Sequence, residues 1–295
     1  MKFIDYLNNS KIKLLDGSMG ALLGMLGGYG GGEDSLYNPE KVIELHKQYI
    51  EAGSEMIITN TLTMNRIYIE SAKKEIDVEK INKASVELAR KASMGKEVFI
   101  LGNLSSTGQL IEPYGKLTEK EVIRNFKEQA EYLSMGNIDG FIIETMFDIR
   151  EAICAIKACK EVSDIPVLAL MSFETLKNGG RTLMGDNVSI CTKELQNIGV
   201  AAVGSNCGSL DPFEISEIAM VYREHTDLPI VVEPNAGKPR LIDGKTRYNM
   251  SYEDFTDGII KCIEGGATIV GGCCGTTPEH IKYLADYLKK RMTNL

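Results

Sequence analysis

The sequence has no tryptophan and only three histidines among its 295 residues. It has no apolar run long enough to cross a bilayer, which excludes a helical membrane span. It has no basic-apolar-small signal pattern at the N-terminus, so the expected location is cytoplasmic. It has no excess of positive charge, since 33 Lys and Arg face 41 Asp and Glu, for a net charge of -8. That balance argues against a general nucleic-acid or anionic-membrane binder, and leaves room for a small zwitterionic ligand. It has no even set of cysteines: seven is an odd count for a disulfide framework, and a chain of this size does not need one. No histidine has metal-ligand spacing, and His46, His225 and His280 read as structural residues in or near helices. No shift in composition marks a boundary, so residues 1–295 read as one domain.

What is present is an alternation. Apolar runs occur at 13–15, 55–61, 98–106, 140–146, 166–174, 200–207, 229–237 and 267–272. Helical patterns follow them, with start signals at Asn38-Pro39, Asp77, Thr118 with Glu121, Asp211-Pro212, Ser251 and Thr277-Pro278. The strand-like runs are apolar almost throughout, as parallel strands covered on both faces are. Eight such units predict a (β/α)8 TIM barrel. A doubly wound open sheet fits less well, because no glycine fingerprint follows the first run.

Unusual polar residues gather after the strands: Asp16, Thr59 and Asn60, Glu144, Asn206 and Cys207, Asn235, and Cys273 and Cys274. In a barrel those ends share one face, where active sites are built. Cys273 and Cys274 lie among glycines before a helix start, and adjacent cysteines seldom bond each other, because the ring is strained. With Cys207 they make three soft ligands, a set that suits zinc with an open fourth position. The competing reading is three small buried residues, which is how Cys154, Cys159, Cys191 and Cys262 read within helical stretches. Three thiolates on one zinc suit a substrate thiol as fourth ligand, held deprotonated and electron-rich for alkyl transfer. Asp16 and Glu144 then suit the ammonium of that substrate, and asparagine and backbone N–H groups its carboxylate. The stretch Gly27-Gly28-Tyr29-Gly30-Gly31-Gly32 reads as a flexible connection, or as a mobile cover over the site.

The sequence resembles the homocysteine S-methyltransferase family, which includes the homocysteine-binding module of cobalamin-dependent methionine synthase. The matching segments are Leu15-Asp16-Gly17-Ser18-Met19-Gly20, Thr59-Asn60-Thr61, Glu144-Thr145-Met146-Phe147-Asp148, Gly180-Arg181-Thr182, Asn206-Cys207, Pro234-Asn235-Ala236-Gly237 and Gly271-Gly272-Cys273-Cys274-Gly275-Thr276-Thr277-Pro278. The resemblance implies zinc on Cys207, Cys273 and Cys274, with Asp16, Gly17, Thr59 and Glu144 around homocysteine; Asn206, beside Cys207, is a further candidate substrate-binding residue. It implies Asn235 as a fourth zinc ligand until substrate thiolate displaces it, and methionine as product. The 106–115 loop is similar to the corrinoid-linked branch. The absence of tryptophan and of a long C-terminal extension weakens a betaine donor. The sequence stops at Leu295 without the folate-binding and corrinoid-binding modules of the large synthase. The expected donor is therefore methylcobalamin or a separate methyl-corrinoid protein. Two alternatives remain: methyl transfer involving another thiol, a thioether or S-methylmethionine, and a non-catalytic scaffold for a corrinoid protein.

Overall fold

A computed structural model describes residues 2–242 and 245–293. Its strands are β1 (Lys13–Leu14), β2 (Met56–Ile58), β3 (Phe99–Ser105), β4 (Gly140–Met146), β5 (Val167–Met171), β6 (Ala202–Asn206), β7 (Ile230–Glu233), β8 (Arg240–Ile242), β9 (Lys245–Arg247) and β10 (Ile269–Val270). All but β8 and β9 form one parallel sheet in the order β1-β10-β7-β6-β5-β4-β3-β2. Helices Pro39–Ala52, Val78–Ala92, Glu119–Ser134, Ile149–Val162, Val188–Asn197, Pro212–His225, Tyr252–Glu264 and Pro278–Thr293 alternate with these strands. The chain is a (β/α)8 barrel.

Strand periodicity divides the core into two layers. Met56, Ile58, Leu101, Ile142, Leu168, Leu170, Val231 and Ile269 pack together inside the barrel. Their sequence neighbours Ile57, Ile100, Ile143, Ala169, Met171, Val232 and Val270 pack outward under the helices. Each fully buried large apolar side chain contributes about 1.5–3 kcal/mol against exposure. A first helix, Phe3–Leu7, places Phe3, Tyr6 and Leu7 in the inner layer. Phe3 and Tyr6 meet the ring of Phe99 where β3 begins, so this helix plugs the end of the barrel remote from the strand C-termini.

The ends of the sheet meet at a seam between β1 and β2. The Glu55 amide donates to Leu14 O at 2.8 Å, and the Leu14 amide donates to the Glu55 carboxylate at 3.1 Å. Above it, the Ile58 amide donates to Asp16 Oδ2 at 3.0 Å. Two side-chain carboxylates thus replace ladder partners and close the barrel.

Four of the capping signals act as expected, whereas Asn38 makes no side-chain cap and donates to Asp34 instead. Thr118 with Glu121 and Asp211 with Glu214 form reciprocal capping boxes, and Asp77 and Ser251 each accept from the third residue of their helices. At the last helix the Thr277 amide instead donates to His280 Nδ1 at 3.2 Å. Sequence reasoning did not find the short helices Gly20–Met25, Asp34–Tyr37 and Arg66–Ser71, nor the antiparallel β8–β9 pair.

Candidate active site

The same period that fills the barrel interior sets the chemistry of its mouth. Ile142 points inward, so Glu144, two residues on, does too. Val231 leads in the same way to Glu233, Leu101 to Asn103, and Ala202 through Gly204 to Asn206. β6 and β7 place Asn206 directly beside Glu233. These residues line a cavity of about 430 Å³ together with Cys207, Cys273 and Cys274.

Cys207 follows β6, and the other two cysteines follow β10. Their three sulfurs lie within 4.8 Å of one another, and Cys207 Sγ is 4.0 Å from Cys274 Sγ. Three sulfurs on a tetrahedral zinc would stand about 3.8 Å apart, from Zn–S distances of about 2.3 Å. The cluster therefore fits a metal ion with little movement. Asn235 sits against it through its neighbours: Cys273 N donates to Pro234 O at 2.9 Å, and Ala236 N donates to Cys274 O at 2.9 Å. Asn235 Nδ2 donates to Gly208 O, while Oδ1 is buried without a partner among the described residues. That orphaned amide oxygen, on the residue between those two backbone contacts, could serve a metal held by the thiols.

One thiolate is favoured in the cluster. Cys274 is drawn down to about 3 by hydrogen bonds from Cys207 and Cys273, and the Tyr248 hydroxyl adds to the effect against burial. Cys207 is pushed up to about 12: the Cys273 hydrogen bond lowers it, but its own donation to Cys274, burial and the Cys274 charge outweigh that. Cys273 is raised well above the ordinary thiol range by hydrogen bonding with Cys207 and with Cys274, and then by burial. The other four cysteines are buried in the helical layer, as expected.

The carboxyl groups answer to burial. Glu144 is raised to about 7 by burial, which the Cys274 charge reinforces and a hydrogen bond from Glu233 opposes. Glu233 is raised well above the carboxylate range by burial, then by the charges of Glu144 and Asp16. Asn206 fixes Glu144 by donating from Nδ2 to Oε1 at 3.2 Å, and its Oδ1 accepts from the Thr145 amide at 2.8 Å. Thr63, Thr145 and Cys207 all line the cavity with φ near +57°, at 58°, 57° and 56°. For β-branched threonines that conformation is strained, and strain of this kind collects where a side chain must be aimed.

Of the sequence-predicted residues, Gly17, Thr59, Glu144, Asn206 and the three cysteines meet at this cavity. Asp16 stands behind the wall: its side chain is engaged with Ile58 at the barrel seam, and burial raises its pKa. The glycine-rich stretch is not a loose connection. Asp34 accepts from the Tyr29 amide at 3.0 Å and the Gly30 amide at 2.9 Å, and Asn60 donates to Gly31 O at 2.9 Å. Gly30 and Gly31 reach the cavity as part of its cover. The three histidines do not line the cavity.

Three site residues escaped sequence reasoning. Glu233 and Asn103 follow the inward strand period, the signal that would have found them. Tyr248 follows β9, and only Asp243-Gly244, a hairpin dipeptide, points to the pair that delivers it. Tyr248 packs so closely on Gly275 that a Cβ there would lie 2.3 Å from the tyrosine Cβ, and Gly275 has φ of +83°. Tyr248 also lines a second cavity of about 740 Å³, which shares Ser18, Ala21 and Cys274 with the first.

The sequence profile of the homocysteine S-methyltransferase family matches residues 13–288. The chain belongs to that family. It is 28% identical over 259 residues to methionine synthase of Mycobacterium tuberculosis, a match covering 84% of this chain and 21% of that protein. The Mycobacterium leprae methionine synthase matches at 27% over the same shares. The chain thus spans about a fifth of the length of the curated relatives it matches. The metallated form of the homocysteine methyltransferase MmuM from Escherichia coli superposes with a TM-score of 0.77 at 22% identity, covering 96% of this chain and 98% of that one. Among the described residues, no helix is long and apolar enough to cross a membrane.

Proposed function

We propose that this family member is a zinc-dependent enzyme that transfers a methyl group to the thiolate of homocysteine and releases methionine. We take the donor to be a methyl-corrinoid, either methylcobalamin or a methyl-corrinoid on a separate protein. One observation carries the reading: Cys207, Cys273 and Cys274 converge on the wall of the cavity that holds Glu144. Zinc bound by the three cysteines supplies the acidity that deprotonates a substrate thiol near neutral pH and leaves its sulfur electron-rich.

The chain's own residues supply the rest. Asn235 Oδ1 is the donor held for the fourth position in the absence of substrate. Glu144, oriented by Asn206, accepts the substrate ammonium, and Gly17 and Thr59 bound the same space. Asp16 contributes from behind, as the group that holds β1 against β2 beneath that ammonium. Gly30 and Gly31 cover the pocket and limit water. Transfer of a methyl group requires its donor in line with the attacking sulfur. The second cavity gives a donor that approach along Cys274, past Leu22 and Met25. Its apolar wall suits the face of a corrinoid.

The test is a donor panel. Zinc-loaded protein and homocysteine are given methylcobalamin, S-methylmethionine or betaine separately, and methionine is quantified. Methionine from methylcobalamin is expected. Methionine from S-methylmethionine alone would replace the donor and keep the reaction. No methionine from any of the three, nor with a methyl-corrinoid protein, would overturn the proposal.

A further inference from the structure

The cavity contains more negative capacity than one ammonium ligand residue explains. Glu144 and Glu233 both line it, and among the described residues the lining holds no lysine, arginine or histidine. Glu233 is 1% exposed, and no protein donor meets its Oε2 among the described residues. Burying a carboxyl oxygen without a partner is expensive unless a ligand completes it. The inward strand period aims the side chain of Glu233 at the cavity, beside Asn206 and Glu144. A second acceptor in the same state is Asn103 Oδ1, also buried, unpartnered and on this wall. An ammonium group carries three N–H donors. Glu144, Glu233 Oε2 and Asn103 Oδ1 are the acceptors available to receive them.

We propose that Glu233 is a substrate-binding residue: with Glu144 it cradles the α-ammonium of the thiol substrate and sets the preference for α-amino thiols. The inference rests on the reading of this cavity as the homocysteine pocket. A thiol without the amine leaves Glu233 Oε2 and Asn103 Oδ1 buried without a donor among the described residues, and a site built to bond a polar group rejects analogues that lack it.

The test compares L-homocysteine with its des-amino analogue, 4-mercaptobutanoate, by titration calorimetry on the zinc-loaded protein. L-methionine and 4-(methylthio)butanoate are titrated into metal-free protein as a readout that does not involve the metal. The wild type is expected to favour the amino compound in both pairs. Glu233→Gln keeps the size of the side chain. It is expected to weaken homocysteine and methionine by about tenfold or more, and to leave the des-amino compounds within about twofold. Retained binding of the des-amino compounds shows that the variant is folded. An unchanged preference in the variant, or an equal loss for both members of each pair, overturns the role of Glu233 alone. A wild type that binds none of the four compounds overturns the reading of the pocket and this inference with it.

Discussion

Glu233 and Glu144 sit where a carboxyl is hardest to ionise, and that has a consequence for stability. Burial raises Glu144 to about 7 and Glu233 further above its ordinary value. In the unfolded chain both titrate at about 4.3. A carboxyl raised on folding is carried protonated by the native state, so its neutral form is fully compatible with folding below the unfolded pKa. Stability is then lost as pH rises from that value through the folded pKa. The unliganded protein is therefore held back near neutrality by the same group proposed to serve the substrate. Glu233→Gln should raise the melting temperature of unliganded protein at about pH 7.5 and change it little at about pH 5. Thermal unfolding of wild type and variant at the two pH values decides it. An equal shift at both would mean that packing, not titration, is the cause. A stabilising change that weakens ligand binding is the pattern expected of a binding residue.

At the level of elements, the cover and the hairpin carry the local detail. Gly30 has φ of +80°, and a Cβ there would stand 3.4 Å from Gly24 Cα in the neighbouring helix. Gly30→Val adds a branched side chain in a left-handed conformation. It should destabilise the protein by about 1–2 kcal/mol in denaturant titration and raise the KM for homocysteine by intruding on the cavity. Tyr248 tests the hairpin. In the cobalt-substituted protein, Tyr248→Phe removes a hydroxyl that donates to Cys274 and leaves the ring on Gly275. The sulfur-to-cobalt charge-transfer band should move to lower energy with the fold unchanged; an unmoved band would place the hydroxyl off the sulfur. Legibility in the sequence divides along these lines. The long helices and buried parallel strands were readable because continuous apolar runs and caps such as Asp211 and Ser251 encode them locally. Glu144 and the cysteines were readable because they end such runs. The hairpin and the short helices were not, since each is too short to show a period and is held by tertiary contacts such as Tyr248 on Gly275. Asp16 was read correctly as a strand-end acid, but its partner Ile58 lies across the barrel seam, 42 residues away, and only the closed sheet shows that.

For the whole molecule, the proposed zinc would tie the mouth of the barrel to its stability. On the proposed assignment the site would draw ligands from the segments after β6, β7 and β10, so an ion there would brace three barrel strands. Binding to the native state alone adds stability by mass action, about 2.7 kcal/mol when free metal stands at 100 times its dissociation constant. Zinc also competes with protons. Cys207 is pushed up to about 12 and Cys273 lies well above its ordinary range, so both are protonated near neutrality, whereas Cys274 is not. Forming the tris-thiolate site must therefore release two protons, and the apparent affinity should fall by about tenfold per proton for each unit of acidification. The increment in melting temperature on adding zinc should shrink between about pH 8 and about pH 6, while metal-free protein moves only by its carboxyl titration. Cys274→Ser should abolish the increment, the bound zinc and methyl transfer together. A variant that keeps stoichiometric zinc and turnover would remove Cys274 from the ligand set. A zinc increment independent of pH would mean that the thiols are already ionised before the metal arrives.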